Sequence, residues 1–529
     1  MKRALTVLFV LCLICTSQQI STPDSDSYVA AVLEYHFSRN TSTNLQNYLF
    51  YIQQAAEQYA DILVFPEMTL TRGGNVRVPI HGLLKDYRIP ALHPHLFDEI
   101  LVALSSAARN HGIYLVVNVQ EEMDCRISPE EYCPEQKTYI FNTNVVFDRS
   151  GAVIDRYRKI NLFNEYTRSP ALLPELGVFS TDFGVRFGHF VCFDLMFQVP
   201  ATQVVQKYNL TDIIFSTMWF SEMPFLTAVE IQESYAYTTG VNFLAAGANN
   251  VKVGSAGSGI YSGKAGALIS IMPGEPKTQL LVSRVPKRPG YATFDHPGPL
   301  YDDPTAPQLL LNKDVTLKSA ASRPLRAGFQ EFTLTDRDVS CVFRVRLRNK
   351  TTDTKRTIPH FRAFVKDGTN TYAHRQMGIL FCAVVACENE DADSCPYRFS
   401  KDEKFTEFEE LEIKMTTYPK QYNNTLSCDN IVYYPTSLRY NKFPLDTQDF
   451  TYIESTQEID LNNEIVSNEV TKRRAEIFYR LISPQDELVA FSIWGRAYLR
   501  DVNEIIDSSE EDVNNSIAVE NLIFSFADE

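Results

Sequence analysis

Tyr28-Val29-Ala30-Ala31-Val32-Leu33 and, further on, Ile62-Leu63-Val64-Phe65 are two short, unbroken apolar runs. Both are rich in β-branched and aromatic residues, which marks buried strands. Between them Leu45, Leu49, Ile52, Ala56 and Tyr59 recur at helical spacing and predict a helix over 45–59. This strand–helix–strand order sets the fold class as α/β, with helices covering a sheet. The pattern continues outward. Residues 93–110 read as a helix, 113–119 and 144–147 as strands, 213–216 as a strand, 226–239 as a helix and 243–246 as a strand. One α/β unit over 28–285 accounts for them.

The texture then breaks. Pro286, Pro289, Pro297, Pro299, Pro304 and Pro307 fall within 22 residues, with Gly290 and Gly298 among them. That density predicts a linker or extended strap over 286–327. Beyond it Cys341, Phe343, Val345 and Leu347 alternate with Val342, Arg344, Arg346 and Arg348, a period of two. Residues 378–386, 411–415 and 488–493 also read as strands, and no good helix stands out. A smaller β-rich unit stapled by disulfides is expected over 328–505, followed by an acidic tail over 506–529. No internal repeat is found.

The chain has 529 residues, 50 Lys+Arg against 65 Asp+Glu and a formal charge of −15, with 44 % apolar and 22 % charged residues. That composition excludes collagen, general disorder and coiled coil, and the length calls for two or three domains. The acidic balance argues against a nucleic-acid partner, since phosphate backbones need a basic face. Lys2 and Arg3 precede an apolar run from Ala4 to Cys15, then Thr16 and Ser17. This is the layout of a secretory signal peptide over 1–17, too short to span a bilayer. Its removal would leave a charge of −15 − 2 = −17. The mixed acidic end lacks the apolar tail of a glycolipid anchor. Secretion without a transmembrane span is the expectation. Sequons at Asn40, Asn209, Asn349, Asn423 and Asn514 fit it as glycosylation sites.

Of ten cysteines, Cys12 and Cys15 lie in the signal-like segment. Cys125 and Cys133 flank a short polar loop and could close it. Cys341, Cys382, Cys387, Cys395 and Cys428 cluster late in the chain. Cys192 stands alone, and a lone thiol in an oxidising compartment calls for an explanation.

Three stretches carry candidate chemistry. Phe65-Pro66-Glu67-Met68 puts a carboxylate at the end of an apolar strand, where α/β folds place reactive groups. Arg156-Tyr157-Arg158-Lys159-Ile160-Asn161-Leu162-Phe163 is a basic turn before an apolar patch. Gly188-His189-Phe190-Val191-Cys192-Phe193-Asp194 ends a strand on a cysteine before a helix expected over 199–208, like a nucleophile elbow. Taken singly, a salt-bridging glutamate, a solvated basic face and an inert buried thiol explain them as well.

Together, Glu67, Lys159 and Cys192 at strand ends, in that order, resemble the nitrilase (carbon–nitrogen hydrolase) superfamily. The run 156–163, Cys192-Phe193-Asp194-Leu195-Met196-Phe197, the stretch from Trp219 to Pro224, Ala228-Val229-Glu230, Val241-Asn242-Phe243-Leu244-Ala245 and Gly257-Ser258-Gly259-Ile260-Tyr261 resemble its biotinidase/vanin branch. The resemblance is strong over 28–285 and looser beyond, where Cys382 to Cys395 is similar to that branch's second domain. It implies a four-layer α-β-β-α sandwich with a smaller β-rich domain. It implies an amidohydrolase that needs no metal or cofactor and cleaves a small linear amide through a thioester. Cys192 would be the nucleophile and Glu67 the proton acceptor. Lys159 would stabilise the oxyanion or donate a proton, with the backbone N–H of Phe193 as second donor. Glu165 is a secondary candidate beside the lysine. Ser221 stands where relatives commonly carry Asn, which bears on substrate identity. Pantetheine, giving pantothenate and cysteamine, is the first substrate expected. Biocytin or other biotin amides are the alternative, and a catalytically inactive secreted binding protein is the competing class.

Overall fold

A computed structural model describes residues 20–502, apart from 72–73, 128–129, 293–295, 303–307, 352–357, 419, 423–430 and 459–469. The signal-like segment, the acidic tail, Cys428, Asn423 and Asn514 lie outside the described residues.

The first half holds two mixed sheets. The first runs, in spatial order, Gln279–Pro286, Ser27–Glu34, Ile62–Val64, Tyr114–Asp124, Thr138–Phe147 and Val153–Arg158. The second runs Gly298–Leu300, Ala267–Ile271, Ser258–Ser262, Asn242–Gly247, Asp212–Thr217, Arg186–Val191 and Gly177–Ser180. Alternate residues of each central strand point to opposite sides, and both sides are apolar. Ala30, Val32, Ile62 and Val64 of the first sheet meet Ile214, Leu244 and Ile260 of the second in one core between the sheets. The other face, with Ala31, Leu33 and Leu63, packs on Tyr48, Ile52 and Ala55 of the helix Thr41–Glu57 and on Leu101 and Leu104 of the helix Glu99–His111. The outer face of the second sheet packs on Val204 and on Ile231 and Tyr235 of the helix Ala228–Thr239. The four layers are therefore α-β-β-α. Each fully buried aliphatic or phenyl side chain contributes about 1.5–3 kcal/mol.

Two expected helices start later than the spacing predicts. Residues 90–96 form two short 3₁₀ turns, each opened by a proline, and the α-helix begins at Glu99. Pro94 has no N–H to give and forces its predecessor out of the helical region. After the strand that ends just before Cys192, Val199 is extended before Pro200, and the α-helix covers only Gln203–Tyr208.

The Pro-rich segment is more than a tether. Gly298–Leu300 adds a strand to the second sheet, and Ala321–Pro324 joins a sheet of the second half. That half is a β-sandwich of two sheets whose inner faces share one core. Cys341, Phe343 and Val345 point inward as their alternation predicts, while Arg344 and Arg348 pair with Glu410 and Glu407 on the neighbouring strand. Cys341–Cys382 joins the two sheets and Cys387–Cys395 closes a loop. Cys125 and Cys133 are both free, so the polar loop they flank is not closed by a bridge here. Among the described residues no helix is long and apolar enough to cross a membrane.

The sandwich packs on the helix Ala228–Thr239, which is consequently buried on nearly all sides. Ser234 Oγ donates to Pro435 O at 3.0 Å and Thr238 Oγ1 to Tyr433 O at 3.1 Å.

Several carboxyls lie within these cores. Burial pushes Glu34 up to about 7, Asp212 up to about 6 and Glu233 up to about 8. The folded chain thus holds protons that the unfolded chain has released above about pH 4–4.5. Stability falls wherever the folded state binds the extra protons, so it falls as pH rises through this window. We expect a higher melting temperature by calorimetry at pH 5.5 than at pH 8; the reverse order would contradict these assignments.

Candidate active site

The two sheets bring three strand ends together. Glu67 follows the strand Ile62–Val64, and Lys159 immediately follows Val153–Arg158, both in the first sheet. Cys192 immediately follows Arg186–Val191 in the second sheet. It has φ +48°, a left-handed conformation that a side chain adopts only under constraint, and it opens the 3₁₀ turn Cys192–Met196. This sharp reversal is the expected elbow, made by a 3₁₀ turn rather than by a long helix.

Lys159 Nζ lies 2.7 Å from Glu67 Oε1 and 2.5 Å from Glu165 Oε1. Asn142 Nδ2 donates to both carboxylates, at 2.8 Å to Glu67 Oε1 and 2.9 Å to Glu165 Oε2. Met218 N donates to Glu67 Oε2 at 2.8 Å. Cys192 Sγ reaches Met218 O at 3.5 Å, and the Glu67 carboxylate acts on the sulfur as a neighbouring charge. The structure thus gathers Glu67, Lys159, Glu165 and Cys192 in one buried cluster. Phe193 is the next residue of the turn and is buried beside it.

The electrostatics follow from two carboxylates against one ammonium. Burial works against the Lys159 charge, but Glu165 and then Glu67 outweigh it and hold its pKa above the ordinary lysine value. Burial likewise opposes the Glu165 charge, and Lys159 with Arg168 brings it below the usual carboxylate range. Burial, then the Glu67 carboxylate, push the Cys192 thiol well up, against the opposing pull of Lys159. The resting sulfur is therefore a thiol beside a carboxylate, not a preformed thiolate.

Sequence reasoning missed the supports. Asn118 Nδ2 donates to Asn142 Oδ1 at 2.8 Å, and Met68 N donates to Asn118 Oδ1 at 2.8 Å. Asp194 accepts from Tyr157 OH at 2.6 Å and from Asn161 N at 2.8 Å, tying the elbow to the lysine strand. The signal was present: Asn118, Asn142 and Asn144 interrupt runs that are otherwise apolar, and a buried amide needs partners. Arg156 and Arg158 pair with Glu121 and Glu131 rather than facing solvent.

A cleft opens above the sulfur, walled by Phe163, Phe193, Trp219, Phe220 and Tyr372. Tyr372 belongs to the second half, and Asn312 of the Pro-rich segment also lines it. Ser221 does not: its hydroxyl accepts from Ala228 N at 3.1 Å at the start of a helix. Among the described residues no group of three His, Cys, Asp or Glu is placed to hold a metal. Asn40, Asn209 and Asn349 are exposed, with the Asn40 side chain capping a helix through Thr43 N.

The carbon–nitrogen hydrolase family matches residues 29–254, and the vanin C-terminal domain matches residues 309–501. Vanin-like protein 3 of Drosophila melanogaster is 35 % identical over 70 % of this chain and 72 % of its own length. Biotinidase of Takifugu rubripes is 30 % identical over 76 % of this chain and 86 % of its own. Vanin-like protein 2 of Drosophila melanogaster is 44 % identical over 51 % of this chain. The chain spans about half the length of vanin-like proteins 2 and 1, at 54 % and 50 %.

Because the Glu67 carboxylate helps hold the thiol up, Glu67→Gln should shift the pH midpoint for alkylation of Cys192 by iodoacetamide downward. Mass spectrometry of the labelled peptide across a pH series reads it. An unchanged midpoint would mean that the carboxylate and sulfur do not interact.

Proposed function

The chain belongs to the vanin and biotinidase family of carbon–nitrogen hydrolases, and from that premise we propose that it hydrolyses a linear amide through a thioester on Cys192. One observation carries the reading: Glu67, Lys159 and Cys192, far apart in sequence, meet in a buried cluster at the foot of an aromatic cleft.

An amide is a poor electrophile and an amine a poor leaving group, so the work is divided. Glu67 Oε1 accepts from both Lys159 and Asn142, whereas Oε2 accepts only from Met218 N and has a lone pair left to take the thiol proton as the sulfur attacks. The S–C bond forms and the carbonyl electrons move to oxygen. Lys159, kept charged by its two carboxylates, meets that oxyanion, with the backbone N–H of Phe193 as a second donor. The C–N bond then breaks, and Glu67 returns its proton to the departing amine. Water enters, gives a proton to Glu67 and attacks the thioester; the proton returns to sulfur as the acid leaves. Glu165 and Asn142 hold Lys159 and Glu67 in place through this cycle.

Pantetheine is our first substrate, yielding pantothenate and cysteamine. Relatives include proteins named biotinidase and pantetheine hydrolase, so biotin amides are the second. The signal-like first residues, the exposed sequons and the two disulfides support secretion. N-terminal sequencing of protein recovered from the medium of a secretory host should find the chain starting near residue 18; an intact Met1 would refute it.

Purified protein should release cysteamine from pantetheine, with biocytin in competition deciding the acyl preference. Cys192→Ala should abolish release. Lys159→Ala should lower kcat by about 10²–10³, the usual cost of one oxyanion donor. Equal turnover by wild type and Cys192→Ala would remove the mechanism.

A further inference from the structure

Glu222 stands in the wall of the cleft that ends on Cys192, and the chemistry described above does not use it. It lies on the short strand Glu222–Met223, which pairs in parallel with Asn312–Lys313 of the Pro-rich segment. Its Oε1 is buried and has no hydrogen-bond partner. A carboxyl with an oxygen left unpaired among apolar groups is costly, and a cation beside the same carboxyl in the cleft recovers part of the cost.

Two surroundings say which donor. The walls beside Glu222 are the aromatic side chains Phe163, Phe193, Trp219, Phe220 and Tyr372, a class of side chain that accommodates a cation. Behind Glu222 stands Asp314, buried, with Oδ1 occupied by Thr316 and Oδ2 unpartnered. The charges of Glu222 and Asp314 both bear on Tyr372. Lys366 acts on Asp314 only through space, its ammonium being bonded to Ser319 Oγ at 3.0 Å. Burial and then Asp314 push the Glu222 carboxyl up to about 8. A cation beside it offsets both causes and favours the carboxylate, which a neutral apolar group does not.

We propose that Glu222 binds a protonated amine carried by the amide substrate, seated against the aromatic walls of the Cys192 cleft. This rests on the amide-hydrolase reading above and narrows its substrate class: over pantetheine, which has no basic nitrogen, it favours linear amides that bear one.

The test uses three amides identical but for a terminal ammonium, hydroxyl or methyl group, made once with that group on the acyl side and once on the leaving side. Wild type should favour the ammonium by about 10- to 100-fold in kcat/KM, and Glu222→Gln, equal in size and uncharged, should bring the three to within about threefold. Alkylation of Cys192 should be unaltered in that variant, which shows an intact site. Binding is read separately on Cys192→Ala by the change in tryptophan fluorescence, Trp219 being the one of the chain's two tryptophans that lines the cleft. Equal Kd for ammonium and hydroxyl, or a preference that survives in Glu222→Gln, would overturn the assignment. Preferential binding of the ammonium without turnover of any amide by wild type would refute the hydrolase reading and leave the Glu222 assignment standing.

Discussion

One ammonium held between two buried carboxylates is the interaction on which the rest of the site depends. Lys159 lies within hydrogen-bond reach of both Glu67 and Glu165, and all three are almost wholly removed from solvent. Such a cluster is a poor source of stability, because desolvating three charges offsets most of their attraction. Its value lies in the imbalance. Two negative charges fix the lysine as a cation, and burial with the Glu67 charge keeps the neighbouring sulfur protonated. Nucleophile and base are thereby stored as a neutral thiol and a carboxylate, and charge separates only when an electrophile arrives. Asn142 bonds both carboxylates at once, and Asn118 in turn fixes Asn142.

That geometry exists because two sheets pack face to face. Glu67 and Lys159 come from one sheet and Cys192 from the other, so the inter-sheet core sets their separation. Packing of this density has discrete arrangements and transmits displacement, and a small shift between sheets would part the groups. Asp194 is one tie across the gap, accepting from Tyr157 and Asn161 of the lysine segment while belonging to the cysteine turn.

The β-sandwich is part of this machinery. Arg496, buried, donates from Nε to Met196 O at 2.9 Å, at the end of the turn that Cys192 begins, and also pairs with Asp501. Tyr372 from the same half completes the cleft wall, and the Pro-rich segment supplies Asn312. The helix Ala228–Thr239, covered by the second sheet on one side and the sandwich on the other, explains why it carries buried Glu230, Gln232 and Glu233 as well as apolar residues.

Much of this was legible in the chain itself. Apolar strands of four to eight residues, a helix spaced in threes and fours, and the inward alternation of Cys341, Phe343, Val345 and Leu347 are local patterns, and local periodicity survives folding because burial enforces it. The strand-end positions of Glu67, Lys159 and Cys192 were legible for the same reason. Helix starts near Pro94 and Pro200 were misjudged because proline chemistry overrode the apolar spacing. What the linear order could not contain is which distant groups meet. Asn142 at the lysine, Asp194 across the sheets, and Glu222 with Tyr372 in one cleft near Asp314 are contacts between separate elements, whereas Glu165 lies only six residues past Lys159. The contacts between elements are decided by how sheets and sandwich pack, since hydrogen bonds and charges act over a few ångströms of space and not along the chain.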